Sequence, residues 1–301
     1  MKKNSERNMK IILTLDQFPI FLPGAFGNKT RKTPGLDALT LKSTVFDRAY
    51  STCADGLETL FQLWEALDFS SPRFAGKKVF LSDLPVEAPD FFDAGQTVSS
   101  DIFFETFGNF GKGTERKSSD FSWMELSEVG LLWVHFQSWN LDALDAWLSE
   151  SENQNQVLAI LGTSGELPEG DVRLYSAEVQ LPWWIRFSES IFEGTRCHAL
   201  VTADDFQKIL DAGNPDAAFR NEIRIHSEND RWAIVTEEWF LTGFEALPAS
   251  ECEDFSEEEA EELEADAPEL YFKPSDWWDQ NDVAPRCFDE VQELLRLRDA
   301  E

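Results

Sequence analysis

Cysteine and histidine are scarce in this chain, and their scarcity excludes some classes of site. The 301 residues include 4 Cys and 3 His. The cysteines, at positions 53, 197, 252 and 287, are widely and irregularly spaced, and none forms a Cys-x-x-Cys pair. This spacing argues against a disulfide framework and against a zinc site, and it favours reduced thiols.

Positive charge is also in short supply. The chain has 26 Lys and Arg against 57 Asp and Glu, which gives a net charge of -31. Such an acidic surface repels the phosphates of nucleic acids and of anionic membranes. We therefore expect neither kind of partner and take another protein as the candidate partner. An anionic substrate would need a local basic pocket.

Long apolar runs are absent as well. No run approaches the ~20 residues that span a bilayer. Residues 9–15 follow a basic start and are mostly apolar, but Asp16 and Gln17 end the run and no small-x-small cleavage site follows promptly. We interpret this run as a buried first strand rather than a signal peptide, and expect a cytoplasmic protein.

Motifs of two common enzyme classes are missing too. The sequence contains no Gly-x-Ser-x-Gly elbow and no Walker loop. The stretch 108–113 is rich in glycine and carries Lys112, but it lacks a strand-loop-helix setting and is interpreted as a flexible loop.

Apolar runs and amphipathic stretches do alternate along the chain. Hydrophobic residues make up 42% of it and aromatic residues 13%, enough for a large core. The patterns predict strands at 11–15, 44–46, 78–82, 130–136, 157–161 and 180–187, and helices at 36–41, 57–67, 141–148 and 203–212. The strand-helix-strand spacing of 130–161 predicts a βαβ unit and a mainly parallel sheet. Residues 83–123 fit no clear pattern.

The last quarter of the sequence has a different character. Short strands at 232–236 and 239–242 predict a hairpin, 270–272 a third strand and 288–297 a closing helix. Residues 245–269 form an acidic, low-complexity insert of a kind that is usually solvated. We predict an α/β domain over 1–225, with residues 1–8 disordered, and a small α+β subdomain over 226–301.

Several short segments resemble sulfatases. Residues 33–39, Thr-Pro-Gly-Leu-Asp-Ala-Leu, and 46–51, Phe-Asp-Arg-Ala-Tyr-Ser, are similar to the family's Thr-Pro-Asn-Leu-Asp-x-Leu and Phe-x-x-Ala-Tyr segments. Other similar segments follow in the family's order, at 11–16, 24–28, 130–148, 179–206, 232–239 and 269–284. The resemblance implies the alkaline phosphatase-like α/β fold: a mixed, mainly parallel sheet between helices, with a small C-terminal antiparallel sheet and a helix.

The nucleophile signature of that family is broken here. Sulfatases convert the Cys or Ser of Cys/Ser-x-Pro-x-Arg into a formylglycine that attacks sulfur. If Cys53 is that residue, Asp55 replaces the proline and Leu57 the arginine. An ungapped register from Ala49 puts Gly56 in the nucleophile's place instead.

The metal site implied by the resemblance is also degraded. Sulfatases bind calcium through paired aspartates after the first strand and through Asp-His/Asn after a later one. These positions fall on Asp16 and Gln17, and on Thr163 and Ser164. Hydroxyl groups are poor substitutes for carboxylates at a hard cation. We therefore expect no bound calcium or other cofactor, and expect Asp16 to cap a turn or to pair with a base.

These observations predict a sulfatase-like protein without sulfatase activity, acting by binding or regulation. His135 lies within a predicted strand and is expected to be packed rather than catalytic. Two alternatives stay open. One is an active sulfuric- or phosphoric-ester hydrolase with a site rebuilt around Asp16, Cys53 and Asp55. The other is a small-ligand binder using the cleft between Asp16 and residues 162–165, where strand ends converge.

Overall fold

Apolar runs without polar alternation become the central strands of an eight-stranded sheet, because both faces of such strands must be covered. The computed structural model describes residues 9–85, 87–108, 128–166, 173–227, 230–244, 267–273 and 275–300. The strands of the large sheet are β1 Lys10–Leu15, β2 Thr44–Tyr50, β3 Lys77–Ser82, β4 Ala94–Thr97, β5 Val129–Phe136, β6 Val157–Gly162, β7 Gln180–Ile185 and β8 Thr195–Cys197.

The large sheet is mixed but mainly parallel, as predicted. Its strand order is β4-β3-β5-β1-β6-β7-β2-β8. Only β7 runs against the others, pairing antiparallel with both β6 and β2. The carboxyl ends of β1, β5 and β6 therefore lie at the same edge of the sheet.

The predicted βαβ unit is present in a modified form. Strands β5 and β6 are parallel to each other, but β1 lies between them and pairs with both. The local pattern of residues 130–161 fixes two strands and a helix, whereas the insertion of β1 depends on contacts with a distant part of the chain.

Helices cover the two faces of this sheet. The helices are α1 Pro34–Thr40, α2 Gly56–Ala66, α3 Ser100–Gly108, α4 Leu141–Leu148, α5 Ser151–Gln156, α6 Ser176–Val179 and α7 Phe206–Ala212. Side chains of α1, α3 and α4 pack with Ile11 and Leu13 of β1 on one face, which we call the α1 face. Side chains of α2 and α7 pack with Ile12 and with Trp133 of β5 on the other, the α2 face.

Local signals place the helix ends well. The Asn140 side chain accepts hydrogen bonds from the backbone N–H groups of Asp142 and Ala143 at 2.8 and 3.1 Å, as expected of an N-cap. At the other end of a predicted helix, Gly213 adopts a left-handed φ of 60° after α7. The predicted helix over 203–212 begins with a 3-10 turn at Ala203–Asp205.

A second sheet forms from the C-terminal part. Its order is β12-β11-β10-β9, all antiparallel, with β9 Glu222–His226, β10 Arg231–Thr236, β11 Trp239–Phe244 and β12 Glu269–Phe272. The predicted hairpin is β10-β11. Strand β9 was not predicted, and it lies across the 225/226 boundary expected from the sequence. A closing helix, α8 Phe288–Asp299, packs Val291 and Leu294 on this sheet.

The unassigned region 83–123 contributes β4 and α3 to the large sheet and its cover. Residues 109–127 lie outside the described part, and so does nearly all of the glycine-rich stretch 108–113. Residues 1–8 and the part of the acidic insert at 245–266 lie outside it as well. Within the described ranges, no helix is long and apolar enough to cross a membrane.

A buried ion pair fastens the segment after β12 to the large domain. Lys273 Nζ lies 2.8 Å from Asp279 Oδ1, and both side chains are almost fully buried. Asp279 Oδ2 accepts the backbone N–H of Ser176 at 2.7 Å, and Lys273 also donates to the Ser176 hydroxyl at 2.8 Å. Since Ser176 begins α6, these bonds join the two parts of the molecule.

Removing one partner of this pair should cost far more than removing an exposed charge. Asp279→Asn leaves the Lys273 ammonium buried without its counter-charge, so we expect a loss of about 3–5 kcal/mol in the free energy of unfolding. The matched control is Asp142→Asn, which breaks the exposed Arg31–Asp142 pair and should cost less than about 1 kcal/mol. Urea unfolding of both variants measures this, and equal losses would contradict the assignment.

Candidate functional site

Asp16 is the centre of the position where the resemblance puts a metal site. It follows β1 and is buried. Its Oδ1 accepts the Ser164 hydroxyl in a short hydrogen bond and the backbone N–H of Gln17 at 3.0 Å. Its backbone carbonyl accepts Trp139 Nε1 at 2.7 Å. Asp16 is thus held from three sides by hydrogen-bond donors.

Gly56 lies directly against this carboxylate. A Cβ atom at Gly56 would be 2.0 Å from Asp16 Oδ1, so only glycine fits while Asp16 keeps its position. Gly56 begins α2, and the positive end of a helix favours a nearby carboxylate. In the ungapped register from Ala49, Gly56 stands in the nucleophile's place. The Asp16 carboxylate then occupies the space in which a nucleophilic side chain would start.

The two hydroxyl residues after β6 are buried in the same region. Ser164 bonds to Asp16, and its carbonyl accepts the backbone N–H of Phe18 at 2.8 Å. The Thr163 backbone N–H bonds to the Leu15 carbonyl at 2.9 Å. Its fully buried hydroxyl has no hydrogen-bond partner among the described residues. The structure thus brings together Asp16, Ser164 and Gly56, with Gln17 contributing only its backbone N–H.

Cys53 and Asp55 have local roles in the turn before α2. The Asp55 carboxylate caps the helix by accepting the Glu58 N–H at 2.7 Å. The partly exposed Cys53 thiol lies 3.5 Å from the Ser51 hydroxyl and 3.6 Å from the Thr59 hydroxyl. Both neighbours are neutral hydroxyl groups.

The donor set around Asp16 does not fit calcium. Ca²⁺ takes six to eight oxygen ligands, whereas Asp16 Oδ1 is occupied by an O–H and an N–H and the start of α2 lies beside it. No group of three or more His, Cys, Asp or Glu in the described chain could hold a metal ion. Asp16 here behaves as an acceptor that ties β1 to β6.

His135 is packed in β5, next to this position on the α2 face. Thr14 donates to the Val134 carbonyl at 3.2 Å and accepts Trp133 Nε1 at 3.0 Å, so the 3.2 Å contact from His135 Nδ1 is a donated N–H. Nε2 is then an acceptor, and it is unpartnered among the described residues. Burial lowers the pKa of His135 to about 4, with a small opposing effect of Asp83.

A second polar group lies on the α1 face, beside strands β7, β2 and β8, which end the strand order of the large sheet. Asp47, in β2, is almost fully buried and receives His198 Nδ1 at 2.9 Å, with Arg196 Nη1 at 3.8 Å. Burial raises the pKa of the Asp47 carboxyl, and His198 and Arg196 partly offset the rise. The sequence analysis missed this group because Asp47 was noted only within the Phe-x-x-Ala-Tyr segment.

A cavity of about 890 Å³ opens beside Asp47. Its walls come from the loop after β1, from Arg196 and from the segment 275–280 of the C-terminal part. A smaller cavity of about 310 Å³ shares Asp47 and Trp277 with it and reaches Tyr50, Gln180 and Lys273. We call the two together the seam cavity, because both are lined by residues of the large sheet and by residues of the C-terminal part.

Comparison by sequence finds no matching protein-family model and no matching curated protein. Comparison by structure does find matches. A Bacteroides thetaiotaomicron protein of a genetic locus for glycosaminoglycan metabolism is 13% identical with a TM-score of 0.64, and the match covers 96% of this chain and 98% of that one. A 2-O glycosaminoglycan sulfatase is 12% identical with a TM-score of 0.59, covering 96% and 90%.

A phosphonate monoester hydrolase of Agrobacterium radiobacter is 13% identical with a TM-score of 0.56, covering 96% of this chain and 95% of that one. This chain has a sulfatase-like, alkaline phosphatase-like fold. The predicted fold is thereby confirmed over nearly the whole chain. At these identities the similarity concerns the fold and assigns no reaction.

Within the sulfatase-like fold, the contact between Asp16 and Gly56 can be tested by a double-mutant cycle. Gly56→Ala should lower the free energy of unfolding by about 1–3 kcal/mol, because its methyl group overlaps the carboxylate. In an Asp16→Ala background the space is free, and the same change should cost much less. Urea unfolding of the four proteins gives the coupling energy, and additive effects would contradict the contact.

His135 should make stability depend on pH. Its pKa is lowered in the folded state, so between about pH 6.5 and pH 4 the unfolded chain binds a proton there that the folded chain does not. Stability should therefore fall as pH falls through this window, by on the order of 3 kcal/mol. His135→Gln lacks this loss, so the stability of the wild type relative to this variant should decrease toward pH 4. A pH-independent difference would contradict it.

Proposed function

We propose that this sulfatase-like chain does not hydrolyse sulfate esters and acts instead as a binding or regulatory protein, with another protein as partner. The observation that carries the proposal is the contact between the Asp16 carboxylate and Gly56. The carboxylate occupies the space where a side chain at Gly56 would start, and it is itself held by donors. Both facts support a site without nucleophile or cation.

The requirements of ester hydrolysis support the proposal that this chain does not hydrolyse sulfate esters. Attack on a sulfate or phosphate ester needs an activated nucleophile and positive charge on the ester oxygens. Gly56 offers no side chain, and the Cys53 thiol has neutral neighbours in the described chain. Asp16 is the only carboxylate among the four residues at the expected metal positions, so we propose that the protein works without a bound metal.

The partner proposal follows from charge. The net charge of -31 disfavours nucleic acid and anionic membranes, and it suits a partner with a basic surface. Two of the similar structures are named as a sulfatase and a phosphonate monoester hydrolase. They support one alternative, a hydrolase whose active site has been rebuilt.

Metal titration separates these alternatives. Calcium, magnesium and manganese are titrated calorimetrically into metal-free protein, with thermal melting in each ion and assays on aryl sulfate, aryl phosphate and phosphonate monoesters. We expect no binding at millimolar metal, no shift in melting temperature and no turnover. Tight binding that Asp16→Ala abolishes, together with turnover, would overturn the proposal.

A further inference from the structure

Five polar side chains meet on the α1 face at the β7-β2-β8 edge of the sheet. Val45 packs in the core of the α1 face and is paired with Arg196 of β8, and Asp47 contacts Arg196, so Asp47 lies on the same face. Tyr50 and Gln180 are directly opposite each other in the β2-β7 pair. Arg196 and His198 flank the buried Cys197, which faces the other side, and both contact Asp47.

Aromatic rings enclose this polar group. Phe21 and Phe26 line the larger part of the seam cavity from the loop after β1, and Trp277 and Trp278 line it from the C-terminal segment. Phe21 and Trp278 are in contact across the cavity, with ring centroids 5.2 Å apart. Both tryptophans are also partly exposed to solvent. Sites for small molecules are typically ~300–1,000 Å³, mostly apolar, and carry a few convergent polar groups.

At the polar end of the seam cavity, one buried hydrogen-bond acceptor has no partner among the described residues. The Gln180 side chain donates Nε2 to the Asp47 carbonyl at 2.7 Å, but its buried Oε1 has no partner among the described residues. Buried polar atoms are nearly always paired. A carbonyl oxygen can be satisfied only by a donor, so the missing partner carries N–H or O–H.

Charge favours a cationic donor. Four carboxylates and four basic side chains, His198 among them, line the seam cavity. Each basic side chain already has a partner: Lys273 pairs with Asp279, Arg48 donates to the Thr236 carbonyl at 2.6 Å, His198 pairs with Asp47, and Arg196 contacts Asp47, the Ala25 carbonyl and the Phe26 ring. By contrast, no ion pair among the described residues holds the exposed carboxylates of Glu237 and Glu238.

We propose that the seam cavity binds an organic ammonium ion, its amine at the polar end near Gln180 and its apolar body between the aromatic rings. A cation over the face of a tryptophan is attracted by the ring quadrupole, and an acidic protein concentrates cations near its surface. The site lies on the opposite face of the sheet from Asp16, so the proposal goes beyond the proposed function and stands without it.

Three indole compounds that differ in charge test the proposal. Tryptamine, tryptophol and indole-3-acetate carry a cationic, a neutral and an anionic side chain on the same ring. Each is titrated calorimetrically into the full-length protein at pH 7. We expect tryptamine to bind about tenfold more tightly than tryptophol, and indole-3-acetate to bind most weakly. Equal binding of the first two, or no binding of tryptamine at millimolar concentration, would overturn the proposal.

Two variants locate the site. Trp277→Ala removes the ring that both cavities share and should weaken tryptamine about tenfold. Glu238→Gln should weaken the binding of tryptamine but leave the binding of tryptophol unchanged, because it removes only charge.

The control variant is Phe219→Ala, which removes an exposed ring that does not line the cavity. A Trp277→Ala protein that melts like wild type and binds tryptamine unchanged would overturn the assignment. The metal and ester assays do not involve this cavity, so the two proposals can fail separately.

Discussion

The contact between the Asp16 carboxylate and Gly56 is the physical constraint on which the arrangement of this end of the large sheet depends. It joins the end of β1, the start of α2 and, through Ser164, the end of β6. A carboxylate in that position is stabilised by two donors and by the helix end. The same arrangement fills the space beside the first residue of α2 and ties the carboxyl ends of β1 and β6 together.

The sheet keeps two polar regions apart. Successive residues of a strand point to opposite faces, and β2 uses this alternation directly. Phe46 packs into the core of the α2 face, while Asp47 turns to the α1 face and meets His198. On the α2 face the polar groups near Asp16 are buried, and Asp16 and Ser164 bond to each other there. On the α1 face, beside β7, β2 and β8, polar groups border a cavity instead.

The C-terminal part completes that cavity and is held in place by the pair of Lys273 and Asp279. A charge pair as buried as this one gains little from Coulomb attraction after desolvation, so its value lies in fixing geometry. It positions Trp277 and Trp278 opposite Phe21, and it occupies a cation that would otherwise repel a cationic ligand. The aromatic rim and the acceptor-rich floor are therefore properties of the assembled molecule, contributed by segments far apart in the chain.

The sequence by itself determined the strands and helices whose apolar periodicity is strong, because burial of one or both faces leaves a local record. β1, β5, α4 and the β10-β11 hairpin are of this kind, and the sulfatase-like order of short segments indicated the fold. It also predicts that the nucleophile and metal positions are lost, because that prediction depends only on residue type. It did not determine that β1 separates β5 from β6, that β9 and β4 exist, or that Asp16 meets Gly56. Only the tertiary structure decided these three points. It also brought Asp47, Gln180 and Trp277 to one cavity. Strand order and side-chain proximity depend on contacts between residues far apart in the chain, and no local pattern encodes such contacts.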